Sequence, residues 1–382
     1  MDTLAASERH YRSQHAMLFP SHSPFSPVRG SRSFALRGAC AALAVAGLTI
    51  AVNSLAANGL TTVASSLAPA TCAPKQHGFV LVQDGHDELS SSLPHYRLRE
   101  LRGTGANVVA IMPLLQQPKA DSIAVDRSLD MSDGELAHII RQAHKLGLHV
   151  IVDPHIQIPD GKPEDVRMAS DKDWAAWFHH YQQAIVGLAA VAADERAEAL
   201  VIGTDLDQTV NRPEWLDLIA RLRRIYRGQL VYAAQGSAGV AQAPFWNELD
   251  AVGVTLSPML DPEGGPTTWR AALADERNRL LAQVKQTKRP LYITELGFRA
   301  GPGATAQTAS GTTPPSPPID EATQAHALAT WLAELSDPAI HTVLIWRWNN
   351  ASQDDGFSAQ DGKIAQAMTK RWHSCDRAIA SW

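Results

Sequence analysis

Eight short apolar runs, each followed by a longer amphipathic stretch, constrain what this chain can fold into. The runs are His77–Gln83, Asn107–Leu114, His149–Pro154, Ala199–Thr204, Gln229–Ala233, Ala251–Leu256, Pro290–Thr294 and Thr342–Trp348. Helical patterns fall between them at Pro94–Arg102, Asp133–Leu146, Lys172–Ala193, Pro213–Tyr226, Pro244–Leu249, Thr267–Thr287 and Ile319–Leu335. The stretch from Asp133 spaces Leu136, Ile139, Ile140 and Ala143 on one helical face and stops at Gly147. The stretch from Lys172 repeats Trp174, Trp177, Phe178, Tyr181 and Ile185, a wide apolar stripe suited to a sheet. Strands alternating with helices imply a parallel sheet, and eight such units imply closure into a (β/α)8 TIM barrel. An open doubly wound sheet is the competing architecture, but no Gly-rich phosphate loop follows the first strand.

The barrel accounts for residues 75–382, and what precedes it has a different character. Residues 1–37 form a basic segment with Arg9, Arg12, Arg29, Arg32 and Arg37 against Asp2 and Glu8. Residues 38–74 carry no charge and contain the apolar run Ala39–Val52, followed by small residues. Basic flank, apolar core and small residues predict an export signal, with an uncleaved inner-membrane anchor as the alternative. The n-region is long for a signal, and Met17 offers a more ordinary start. Periplasmic or extracellular location follows, and in an oxidising compartment Cys72 and Cys375, at opposite ends of the barrel sequence, are candidates for a disulfide. Net charge is −5 overall, and −8 once the +3 of the basic segment is set aside. An acidic body argues against a nucleic-acid partner, whose phosphates need a basic surface. Gly301–Pro318, rich in Pro, Gly and Thr, reads as a long rim loop after the seventh strand.

Two carboxylates stand at strand ends, Asp205 after the fourth strand and Glu295 after the seventh. In a barrel, functional groups gather at the C-terminal strand ends. Two acids at one mouth are what glycosidic cleavage needs. Alternation along a strand predicts Gly203 and Val201 inward beneath Asp205, and Ile293 and Leu291 inward beneath Glu295. Trp346 and Trp348 end the last strand. Trp348 is the better candidate for a sugar platform, Trp346 for core packing. His155, after the third strand, is a candidate for holding a sugar hydroxyl, as are Asp84 and His86 after the first. No cofactor is implied. No compact His/Asp metal-ligand cluster is visible, since the adjacent His179 and His180 face different directions on a helix.

Taken together, Trp174-x-x-Trp177-Phe178-x-x-Tyr181, Ile202-Gly203-Thr204-Asp205-Leu206, Val231-Tyr232-Ala233-Ala234, Ile293-Thr294-Glu295-Leu296-Gly297, Trp346-x-Trp348 and Asp355-Gly356-Phe357-Ser358…Gly362-Lys363 resemble glycoside hydrolase family 113. That family contains retaining β-mannanases on the clan A barrel. The resemblance implies Glu295 as nucleophile and the Asp205 position as acid/base, where the family pattern has Glu. Aspartate withdraws the carboxyl by roughly 1.3–1.5 Å, and Asp207 is a nearby substitute if the strand continues. The aromatic that usually neighbours the nucleophile is missing from Val254-Thr255-Leu256-Ser257-Pro258, and Gln235-Gly236 is also atypical.

Three readings follow. The first is a retaining glycoside hydrolase on a β-linked, mannan-like polysaccharide. The second is a weak or inactive glycosidase-like protein that binds carbohydrate in polysaccharide assembly or export. The third is another barrel chemistry, a lyase or a metal-dependent hydrolase.

Overall fold

Parallel strands that are apolar on both faces must be covered on both, and this chain does so by closing them into a ring. In the computed structural model the described residues are 75–82, 93–159, 161–257, 265–297, 321–348, 358–360 and 362–380. They belong to a compact unit running from Ser65 to Trp382. The strands are β1 (Gln76–Leu81), β2 (Val108–Ile111), β3 (Leu114–Gln116), β4 (Asp126–Arg127), β5 (His149–Val152), β6 (His155–Gln157), β7 (Ala199–Thr204), β8 (Gln229–Gln235), β9 (Ala251–Leu256), β10 (Leu291–Leu296) and β11 (Ile340–Trp348). The helices are α1 (Leu93–Gly103), α2 (Asp133–Lys145), α3 (Asp171–Asp194), α4 (Glu214–Ile225), α5 (Gly236–Gln242), α6 (Gly265–Thr287), α7 (Glu321–Glu334) and α8 (Lys363–Ala380).

The closed barrel runs β1-β11-β10-β9-β8-β7-β5-β2, every neighbouring pair parallel. The (β/α)8 architecture is therefore as expected, and each of the eight apolar runs supplies one barrel strand. A second sheet, β4-β3-β6, was not anticipated. It prolongs β2 and β5 beyond the rim, pairing Leu114 with His155 and Gln116 with Gln157. The short helix α5, directly after β8, was also missed.

Local chemistry explains the better-read elements. Ser132 caps α2 in a capping box with Glu135, and Gly147 takes a φ of 72° just beyond its end, a conformation glycine adopts without strain. Ser170 caps α3 by accepting from the Asp173 amide. Inside the ring a small core holds Val80, Val108, Ala110, Ile151, Val201, Val231 and Tyr292. Outside it, a larger layer packs strands on helices. There Trp177 stacks on Tyr181 with ring centroids 4.8 Å apart, and Trp215 meets Tyr232 edge-on at 5.3 Å.

Three strands lose register against a neighbour at the rim. Between Val201 and Thr204, β7 takes three steps while β8 takes two from Val231 to Ala233. From Ile293 to Glu295, β10 takes two steps to one on β9. From Ile345 to Trp348, β11 takes three to two on β1. Each is an extra residue, which turns the following side chains to the other face. The simple alternation expected beneath the two acids therefore fails. Val201 does point inward, but Gly203 lies on the outer side, where a Cβ would come within 2.7 Å of Trp215. Likewise Ile293 and Leu291 belong to the outer layer, and Tyr292 is the inward residue.

Among the described residues no helix is long and apolar enough to cross a membrane. The apolar run Ala39–Val52, the rim loop Gly301–Pro318, Asp84, His86, Cys72 and the Cys375 side chain lie outside the described residues.

Candidate active site

The bulges aim Asp205 and Glu295 into one cleft of about 620 Å³ at the C-terminal mouth of the barrel. Asp205 follows the β7 bulge with a φ of 53°, in the left-handed region that aspartate tolerates better than most residues. Its amide donates to the Ala233 carbonyl at 3.0 Å, which ties the turn to β8. Tyr181 donates its hydroxyl to the Ile202 carbonyl inside the bulge at 2.8 Å. The aromatic stripe on α3 thus supports the strand that carries Asp205. Thr255 on β9 donates to Asp205 Oδ1 at 2.6 Å.

Glu295 sits against His155, with Oε1 2.9 Å from Nε2, and the same nitrogen lies 3.5 Å from Asp153 Oδ1. Asp153 is wholly buried and accepts from Thr204 Oγ1 at 3.1 Å. The β3–β6 pairing fixes the backbone of His155, and Trp346 stacks on its ring with centroids 5.8 Å apart. On the far wall, Glu164 accepts from Gln235 Nε2 at 2.9 Å, and Lys162 and Glu276 complete the lining. Glu276 is held by the Ser237 amide and hydroxyl and by Arg279.

Electrostatics separate the two acids. Burial, then the charge of Glu295, lifts Asp205 well above the usual carboxylate range; Thr255 pulls it down and Glu164 adds to the rise. Burial raises Glu295 too, but the His155 cation beside it opposes that rise. His155 itself loses basicity by burial and more than regains it from Glu295 and Asp153. His155 opposes the rise of Glu295 by charge and by its close contact, and that of Asp205 by charge alone and as the smallest cause, so Asp205 is the acid that more readily keeps a proton. Such a pair can present one ionised and one protonated carboxyl near neutrality.

The remaining candidates are placed differently from expectation. Trp346 lines the cleft, whereas Trp348 is buried in the outer layer against Phe79, centroids 4.8 Å apart. Their positions are the reverse of those expected because the β11 bulge falls between them. Asp207 also departs from expectation. Strand β7 ends at Thr204, and Asp207 lies in a short 3-10 turn with Oδ1 buried towards Gly239, away from the cleft lining. It is not placed to stand in for Asp205. The reading that no His/Asp ligand cluster exists is overturned as well, since Asp153, His155 and Glu295 converge. Thr255, Thr204, Asp153 and Glu164 were missed; Thr255 was noticed in the sequence only as the absence of an aromatic.

The two tryptophans give a direct check. Trp348→Ala is expected to cost about 3–5 kcal/mol of stability and to leave glycan affinity unchanged once folded. Trp346→Ala should weaken glycan binding about tenfold with little change in the unfolding midpoint, as for a lost aromatic contact. Denaturant unfolding and calorimetric titration with an oligosaccharide measure both.

Against known proteins, the profile of Glycoside Hydrolase Family 113 matches residues 83–366. No individually curated protein matches the sequence. Among solved structures, a GH113 β-1,4-mannanase in complex is 22% identical, with a TM-score of 0.67 over 79% of this chain and 99% of that one. The GH113 β-mannanase AaManA from Alicyclobacillus acidocaldarius, in complex with ManMIm, is 20% identical, with a TM-score of 0.66 over 80% and 98%. A Ruminococcus gnavus β-glucuronidase is similar at 12% identity and a TM-score of 0.54, over 79% of this chain and 50% of that one.

Proposed function

Because the chain belongs to glycoside hydrolase family 113, and is thereby a glycosidase on a clan A barrel, we propose that it is a retaining hydrolase of a β-linked, mannan-like polysaccharide. Glu295 is the nucleophile and Asp205 the acid/base. The observation that carries this reading is the unequal pair in one cleft, with His155 2.9 Å from Glu295 and with burial and the charge of Glu295 raising Asp205. The mannan-like substrate is supported by the β-mannanases on the same fold.

In the first step the ionised Glu295 attacks the anomeric carbon, while Asp205 gives its proton to the departing glycosidic oxygen. In the second, Asp205 takes a proton from water, which attacks the same carbon and frees Glu295. His155 keeps Glu295 ionised and in place; Thr255 orients the Asp205 carboxyl; Trp346 offers a flat apolar face to a sugar ring. Aspartate reaches less far than the family's glutamate. The bulge and the turn at Asp205 set how far its carboxyl extends into the cleft. Export of the protein belongs to the same reading and is supported by the basic and apolar N-terminal sequence.

Thr255 gives this scheme a pH signature. Its hydrogen bond lowers the Asp205 pKa, so Thr255→Val raises it. The donor then keeps its proton to higher pH. The alkaline limb of kcat/KM is expected to move upward, with the acid limb, set by Glu295, nearly unmoved. Activity against pH for the two proteins measures it.

The function itself is tested by reducing-sugar release from β-mannan, glucomannan, β-glucan and xylan. Release from the mannans, lost in Glu295→Gln, is expected. Saturable glycan binding with no release from any polymer would instead favour the non-hydrolytic, carbohydrate-binding reading.

A further inference from the structure

Three buried polar atoms have no hydrogen-bond partner: His155 Nε2 and Glu295 Oε1 in the cleft lining, and Asp153 Oδ2 beneath it. Asp153 and His155 flank Pro154 just after β5, and Glu295 lies near the end of β10. The His155–Glu295 approach of 2.9 Å is an ion pair without hydrogen-bond alignment, and the His155–Asp153 approach is 3.5 Å. One imidazole nitrogen and two carboxylates, with ligand atoms all within 4.8 Å of one another, match another known arrangement. Four-coordinate zinc with bonds of about 2.0–2.1 Å holds its ligands roughly 3.3–3.4 Å apart. The two measured separations bracket that value.

We propose that Asp153, His155 and Glu295 form a binding site for a divalent transition-metal ion of the zinc type. Three protein ligands leave the fourth position facing the cleft, where a water or a sugar hydroxyl completes the shell. Two neighbouring contacts orient these side chains: Thr204 donates to Asp153 Oδ1, and Trp346 stacks on the His155 ring. A nitrogen among few oxygens selects zinc-like ions over magnesium and calcium, which take more oxygen ligands. On binding, the ion takes the place of the proton between His155 and Glu295, and that proton leaves to solvent. Glu164 lines the same cleft and adds negative potential for a cation. Metal and sugar then compete for Glu295, so the ion inhibits turnover. This last consequence rests on the hydrolase reading; the binding does not.

The test is calorimetric titration of Zn2+ into the untagged, chelator-stripped full chain, with MgCl2 in excess as a control. One strong site is expected, insensitive to magnesium. Glu295→Gln and His155→Gln should each weaken it at least tenfold, as should Asp153→Asn if that buried change still folds by circular dichroism. Where hydrolysis is measurable, Zn2+ should raise the apparent KM for mannan, reversibly by chelation. The proposal is overturned by the absence of a saturable site below about 100 µM, or by a site that survives both Glu295→Gln and His155→Gln unchanged. Binding that leaves hydrolysis unaffected would overturn the competition, and a chain that never hydrolyses glycan would leave the titration to decide the site alone.

Discussion

Glu295→Gln is expected to lower kcat on β-mannan by about four orders of magnitude or more, with glycan affinity held within a few-fold. The amide has nearly the shape of the carboxylate, so the cleft keeps its form. What is lost, on the proposed mechanism, is the charge that attacks the anomeric carbon and forms the covalent intermediate. His155 also loses the stronger of its two anionic neighbours, so its basicity falls towards what Asp153 alone sustains. A variant that merely unfolded would lose binding together with turnover. Calorimetry with an oligosaccharide, alongside initial rates, separates the two outcomes.

The second large effect is at Asp205, where Asp205→Asn should cost about 10²–10⁴ in kcat/KM on natural glycans, the usual contribution of general acid–base catalysis. The loss depends on the leaving group. An aryl glycoside with a good leaving group needs no proton to depart, so its first step should be nearly unaffected. Its second step still lacks the base that activates water. A burst of released phenol followed by a slow steady state is therefore expected from Asp205→Asn, and stopped-flow absorbance measures it. Asp207 should not compensate, because its carboxylate is turned towards α5. A loss equal on aryl and natural substrates would contradict the assignment of Asp205 as proton donor.

How much of this was legible in the sequence follows from what periodicity can carry. The barrel strands were legible because a strand buried on both faces must be apolar throughout, and Val108–Ile111 or Ala199–Thr204 reads that way in any register. The bulges were not legible, because one extra residue in an apolar run leaves the run apolar. That insertion still decides which neighbour faces the mouth. It puts Gly203 outside, Tyr292 inside, and exchanges Trp346 with Trp348. The acids were found despite the failed alternation, because a carboxylate at an abrupt strand end is conspicuous wherever it points. Asp153 and Thr204 were overlooked because their meaning is pairwise. A buried aspartate and a threonine 51 residues apart become a positioning contact only when β5 and β7 lie side by side.

The most direct test of the account is incubation of the protein with a 2-deoxy-2-fluoro-β-mannosyl fluoride, followed by intact-mass analysis and peptide mapping. The fluorine disfavours the oxocarbenium-like transition states of both steps, while the fluoride leaving group lets the first proceed, so the intermediate accumulates. One 2-fluoromannosyl group per chain, on the peptide containing Glu295 and absent from Glu295→Gln, is the predicted result. An unlabelled chain that still hydrolyses mannan, or a label on Asp205 or another carboxylate, would contradict it.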